Sequence, residues 1–148
     1  MEKILFVCVE NAGRSQMAEA FFRKYLPEGL EPISAGTKPA EKVNPIVIQA
    51  MKEVGIDIKS YTPQTISQQM IEQAKIAVNM GCMDKESCPA LILKNVIDWK
   101  IPDPKEKAID EVRKIRDQIE QEVKEVIAYI TGDVQDSDQK STTRTTRK

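Results

Sequence analysis

The stretch Lys3-Ile4-Leu5-Phe6-Val7-Cys8-Val9-Glu10-Asn11-Ala12-Gly13-Arg14-Ser15-Gln16-Met17-Ala18-Glu19-Ala20-Phe21-Phe22 decides the fold. Its opening, Lys3 to Cys8, is an apolar run rich in branched and aromatic side chains, the pattern of a strand buried on both faces of a parallel sheet. From Ser15 the period changes. Met17, Ala20, Phe21 and Tyr25 recur at helical spacing, and the run ends before Pro27 and Gly29. The first unit is therefore strand, loop, helix, with Cys8 and Arg14 in the loop in a Cys-x5-Arg-Ser arrangement.

Working outward, Leu30 to Ser34 reads as a second strand closed by an Ala35-Gly36 turn. Asn44-Pro45 opens a helix carrying Val47, Ile48, Met51 and Val54 and ending at Gly55. A weaker helical stretch covers Ser67 to Gln73. Lys75 to Met80 and Asn95 to Trp99 are the third and fourth strands, with a cysteine-containing loop between them. After Pro102 and Pro104, Ile109, Val112, Ile115, Ile119, Val123, Val126 and Ile130 recur every three or four residues up to Gly132, the stripe of one long amphipathic helix. Strands alternating with helices imply a doubly wound α/β protein, a four-stranded parallel sheet between helical layers, with its ligand site at the strand C-terminal ends. One domain over 1–132 is expected, followed by a tail over 133–148 whose Ser, Thr, Gln and charged residues predict disorder.

Composition excludes several functions. Net charge is -1 over 148 residues, so no global basic field gathers nucleic acid or an anionic membrane, and any anion specificity is local. There is no His, which removes Ser-His-Asp triads, Cys-His dyads and His-containing zinc sites. Three Cys are too few for a four-ligand cage, so neither metal nor cofactor is expected. Their odd number, with no signal-like N-terminal segment, predicts a reducing, cytoplasmic setting, and a monomer is expected.

The loop after the first strand fits a tetrahedral oxyanion. Successive backbone N–H groups of Val9, Glu10, Asn11, Ala12, Gly13 and Arg14 can curl into an anion nest at a helix N-terminus. The Arg14 guanidinium adds a bidentate fork. Cys8 lies below as the nucleophile, held as thiolate by the same positive field, with the Ser15 hydroxyl as an extra donor. Asn11 tolerates left-handed backbone, and Gly13 permits close approach.

The segment Cys8 to Phe21 closely resembles the signature loop and first helix of the low-molecular-weight protein tyrosine phosphatase family, and Ser15-Gln16-Met17-Ala18-Glu19 is similar to its arsenate reductase branch, where phosphatases usually read Arg-Ser-Pro. Two further blocks extend the resemblance. Asp98-Trp99-Lys100-Ile101-Pro102-Asp103-Pro104 is similar to the aspartate-proline loop that supplies the general acid, which makes Asp103 the proton donor to a leaving oxygen. Asp103 before Pro104 also has the form of a helix N-cap. Met80 to Pro89, containing Cys82 and Cys88, resembles the redox segment of arsenate reductases.

The resemblance implies an arsenate reductase in which Cys8 attacks arsenate, Cys82 attacks the Cys8 sulfur to release arsenite, and Cys88 moves the disulfide outward, thioredoxin or glutaredoxin resetting the protein. Phosphate and sulfate are expected as competing anions. The alternative is a tyrosine phosphatase using Cys8, Arg14 and Asp103, in which the other thiols are incidental.

Overall fold

The computed structural model describes residues 2–80 and 96–132. Among the described residues the elements run in the order β1 (Glu2–Cys8), α1 (Arg14–Lys24), β2 (Leu30–Gly36), α2 (Pro45–Lys52), α3 (Gln68–Gln73), β3 (Ala74–Asn79), β4 (Val96–Asp98) and α4 (Ile109–Thr131). The strands form one parallel sheet in the order β2-β1-β3-β4, as the alternation of strand and helix predicted.

The sheet buries both faces because β1 is apolar at every inward position. On one face Ile4, Phe6 and Cys8 join Met17, Phe21 and Phe22 of α1, Val47 and Met51 of α2, and Val112, Ile119 and Val123 of α4. On the other, Leu5 and Val7 pack with Ala35, Ala77 and Ile71 of α3. Two helical layers therefore enclose the sheet. Phe6 anchors the larger core, its ring 5.9 Å from Phe22 and 5.8 Å from Trp99 between centroids. Truncating so enclosed an aromatic side chain removes about 3–5 kcal/mol of stability.

Local chemistry sets the helix ends. Asn44 caps α2 with Oδ1 accepting from Ile46 N, and Pro45 occupies the first turn. Ser67 caps α3, its Oγ accepting from Met70 N. Gly132 ends α4 in the left-handed conformation at φ 86°. The sheet differs from the sequence reading in one respect. β2 continues through Ala35 and Gly36 rather than turning there, so Gly36 lies directly beside Cys8. No helix among the described residues is long and apolar enough to cross a membrane.

α4 is tied to α2 by charge as well as by apolar packing. The buried guanidinium of Arg116 donates to Ala50 O at 2.9 Å and to Glu53 Oε1 at 3.0 Å, while Arg113 clasps both oxygens of Glu53 at 3.0 and 2.8 Å. The Arg113 hydrogen bond, joined by that from Arg116 and opposed by partial desolvation, holds the Glu53 carboxyl below its ordinary value of 4.5. A depressed carboxyl contributes stability above its unfolded value and loses it as pH falls through its folded value. The melting temperature should therefore drop as pH falls below about 4.5. Glu53→Gln should melt lower at neutral pH and show a shallower acid limb in a calorimetric pH series. Parallel acid limbs in the two proteins would show that this pair contributes nothing.

Candidate active site

Cys8 is the last residue of β1, and the chain then wraps through Val9–Gly13 before entering α1. The loop's shape is fixed by where its carbonyl oxygens go. Thr37 N donates to Cys8 O at 3.3 Å, Lys38 N to Val9 O at 2.8 Å, Ala40 N to Glu10 O at 2.9 Å and Asn44 N to Ala12 O at 2.9 Å. Gly13 O is taken by Met17 N within the start of α1. In a trans peptide the N–H points opposite to the C=O, so outward carbonyls on Val9, Glu10, Ala12 and Gly13 aim the N–H groups of Glu10, Asn11, Gly13 and Arg14 inward. The positive end of α1 adds to the same field. The result is a cleft of about 170 Å³ floored by Cys8, rimmed by Val9, Glu10, Ala12 and Gly13, and walled by Arg14, Asn44, Asp103, Pro104 and Lys105.

The Cys8 sulfur has two hydrogen-bonding neighbours. Asn11 N–H donates to Sγ at 3.2 Å, and Ser15 Oγ stands 2.8 Å from Sγ. Asn11 Nδ2 donates to Ser15 Oγ at 2.7 Å, which leaves the Ser15 proton free to point at the sulfur. Asn11 adopts φ 53° and is fully buried, so the left-handed backbone expected from its residue type is present. Its N–H serves the sulfur and its side chain lies behind Cys8, outside the lining of the cleft. Ser15, also fully buried, sits there with it.

Arg14 reaches the cleft from the first turn of α1, its Nη1 donating to Ile101 O at 3.1 Å and its Nη2 standing 3.6 Å from Asp103 Oδ2. Asp103 thus lines the same cleft as Cys8, with its carboxyl largely exposed. The N-cap reading of Asp103 is corrected, because α4 begins at Ile109 behind Ala108. Asp103 Oδ1 instead accepts from Lys105 N at 3.0 Å, closing a tight turn, and Glu106 takes a left-handed φ of 63°. Lys105 spans the mouth to Glu10 at 3.0 Å, and that hydrogen bond raises its ammonium above the ordinary 10.5. Cys82 and Cys88 lie outside the described residues.

The sequence reading gave Gly36 and Asn44 only a turn and a helix start, and passed over Gln64. A Cβ on Gly36 would stand 2.5 Å from Val9 O and 3.0 Å from Asn11 N, so only glycine lets β2 run beside the loop. Gln64 N donates to Asn11 Oδ1 at 2.9 Å, while Gln64 O accepts from Gly36 N. A lone glycine at a strand end was the available signal for Gly36. Gln64 acts through its backbone and leaves none. Gly36→Ala should push the loop out of register and weaken phosphate binding together with turnover by roughly 100-fold, the scale of a 1 Å misplacement. Calorimetric titration with phosphate checks it, and wild-type affinity would show that the loop yields without cost to the cleft.

Comparison with known proteins agrees with this geometry. Residues 3–136 match the family described as low molecular weight phosphotyrosine protein phosphatase. A putative arsenate reductase of Halobacterium salinarum is 40% identical over 126 residues, covering 82% of this chain and 87% of that protein. The YwlE arginine phosphatase from Geobacillus stearothermophilus superposes with a TM-score of 0.79 at 25% identity, over 93% of this chain and 97% of that one. An arsenate reductase in a phosphate-binding state gives 0.78 at 30% identity, over 88% and 99%. A thioredoxin-dependent arsenate reductase of Corynebacterium glutamicum gives 0.74 at 31%, over 88% and 62%. With its loop, fold and sequence all in register, the chain belongs to the low-molecular-weight phosphotyrosine protein phosphatase family.

Proposed function

We propose that this protein reduces arsenate to arsenite, with Cys8 as nucleophile, Arg14 and the inward N–H groups as the oxyanion clamp, Asp103 as proton donor, and Cys82 and Cys88 as the thiols that complete the reduction. The observation that carries the reading is the sulfur at the floor of an inward-facing amide nest, receiving Asn11 N–H and facing Ser15 Oγ. The similarity to proteins named arsenate reductase supports the choice of substrate.

The Cys8 thiolate attacks arsenic(V), and an arsenate oxygen leaves as water after taking a proton from Asp103, giving an enzyme thioester of arsenate. Cys82 then attacks the Cys8 sulfur. The As–S bond breaks with its electron pair passing to arsenic, so arsenite departs and a Cys8-Cys82 disulfide remains. Cys88 attacks Cys82, frees Cys8 and leaves Cys82-Cys88, which an external dithiol such as thioredoxin or glutaredoxin reduces. The arsenic gains the two electrons that the thiols lose.

Among the described residues, the walls of the cleft fit a small free anion better than an aryl ester. Glu10, Asn44, Asp103, Pro104 and Lys105 supply no aromatic ring on which a phosphotyrosine could stack. The second reading, a phosphatase, draws on Asp103 standing 3.6 Å from Arg14, where it would protonate an ester oxygen equally well.

Asp103→Asn keeps an oxygen for Lys105 N and loses the proton, so turnover should fall about 100-fold or more with the melting temperature nearly unchanged. Intact turnover would place the general acid elsewhere. Cys88→Ser separates the two functions in single-turnover quench experiments. Under the relay it releases about one equivalent of arsenite and stops as Cys8-Cys82, because Cys88 acts only after arsenite has left. A wild type that releases no arsenite in the presence of thioredoxin or glutaredoxin, yet turns over aryl phosphates, would reject the reductase in favour of the phosphatase.

A further inference from the structure

One carbonyl in the loop has no backbone donor among the described residues. Cys8, Val9, Glu10, Ala12 and Gly13 all give their oxygens to backbone N–H groups, whereas Asn11 O is held at 2.9 Å by the side-chain Nε2 of Gln16. The second hydrogen of the same nitrogen reaches Asn11 Oδ1 at 3.2 Å. Gln16 is 1% exposed, in the first turn of a helix whose neighbouring residues Met17 and Ala18 are apolar core. A fully buried amide there is costly unless its hydrogen bonds are made, and both of its N–H groups are used on one residue.

The consequence runs to the sulfur. A carboxamide presents one accepting and one donating end, and either could face Ser15. Gln64 N is a backbone donor and cannot accept, and Gln16 Nε2 cannot accept either, so both demand the oxygen of Asn11. Nδ2 is thereby turned to Ser15 Oγ, which must accept, and the Ser15 proton is sent to Cys8. We propose that Gln16 is a positioning residue for the nucleophile: by turning the Asn11 carbonyl out of the nest and fixing the orientation of its carboxamide, it makes Ser15 a donor to the Cys8 sulfur. This rests on the reading of Cys8 as the nucleophile.

The test measures the sulfur without arsenate. In a Cys82→Ser, Cys88→Ser background, Cys8 is the sole thiol, and its alkylation by iodoacetamide is followed by mass spectrometry from pH 5 to 10. Gln16→Met keeps the length of the side chain and removes the donor. It should slow alkylation about 10-fold at pH 6, the scale of losing one hydrogen bond to a charged group, and converge with the parent at pH 10. Adding Gln16→Met to Ser15→Ala should change the rate less than about 2-fold, because the two act through one chain of hydrogen bonds.

Superimposable pH profiles for Gln16→Met and its parent would overturn the proposal, as would full additivity with Ser15→Ala. Near-UV circular dichroism checks that each variant is folded, and Gln16→Glu, with the same length and a carboxylate facing the Asn11 oxygens, should shift the profile in the same direction. Failure of both variants to fold would make Gln16 a structural prop and would likewise overturn it. A wild type with the expected alkylation profile and no arsenite release would reject the relay while leaving the role of Gln16 intact.

Discussion

The cleft depends on one constraint, that the loop Val9–Gly13 keeps its carbonyl oxygens away from the space an anion will occupy. A single inward carbonyl would set a partial negative charge against the substrate in a confined site, where such a contact is much stronger than in water. The segment Thr37 to Asn44 prevents this by offering four backbone N–H groups in order along the outside of the loop. That segment is in turn placed by β2, which can run beside Cys8 only because Gly36 has no side chain. The sheet register, the glycine and the amide nest are therefore one structure, and the position of the sulfur follows from them.

The proposed oxyanion has to be held by a protein of net charge -1. The attraction comes from oriented dipoles and one guanidinium rather than from a basic surface, and it is confined to the cleft. Glu10 stands at the rim, where it would repel substrate, but Lys105 neutralises it at 3.0 Å. Asp103 likewise lies near Arg14. The charges at the mouth are thus paired, and the inward N–H groups around Cys8 remain as the donors for the proposed anion.

The legible part of this fold was what hydrophobic periodicity encodes. The runs Lys3 to Cys8 and Ile109 to Ile130 state their own structure, because β1 is buried on both faces and α4 on one stripe. Cys8, Arg14 and Ser15 were legible because they fall between a strand and a helix in a pattern that has chemical meaning. Asn11 was half legible: its residue type announced the left-handed backbone, but nothing in the sequence reveals that its side chain is held by Gln64, 53 residues away. Asp103 was read as a possible cap because Asp-Pro is a common helix start. The chain uses it to close a tight turn instead, and α4 begins five residues beyond Pro104.

Arsenate and phosphate share shape and charge, so an amide nest and a guanidinium fork hold them by the same contacts. Nothing in a cleft floored by Cys8 and ringed by backbone N–H groups rewards the longer As–O bond, and selectivity by binding alone would be slight. A reductase therefore discriminates after binding, at the step where a second thiol meets the Cys8 adduct, since arsenic(V) accepts an electron pair and phosphorus(V) does not under these conditions. Phosphate then acts as a reversible occupant. Its residence depends on the same carbonyl-out geometry that prepares the sulfur, so an anion that cannot react still reports how well the nest is formed.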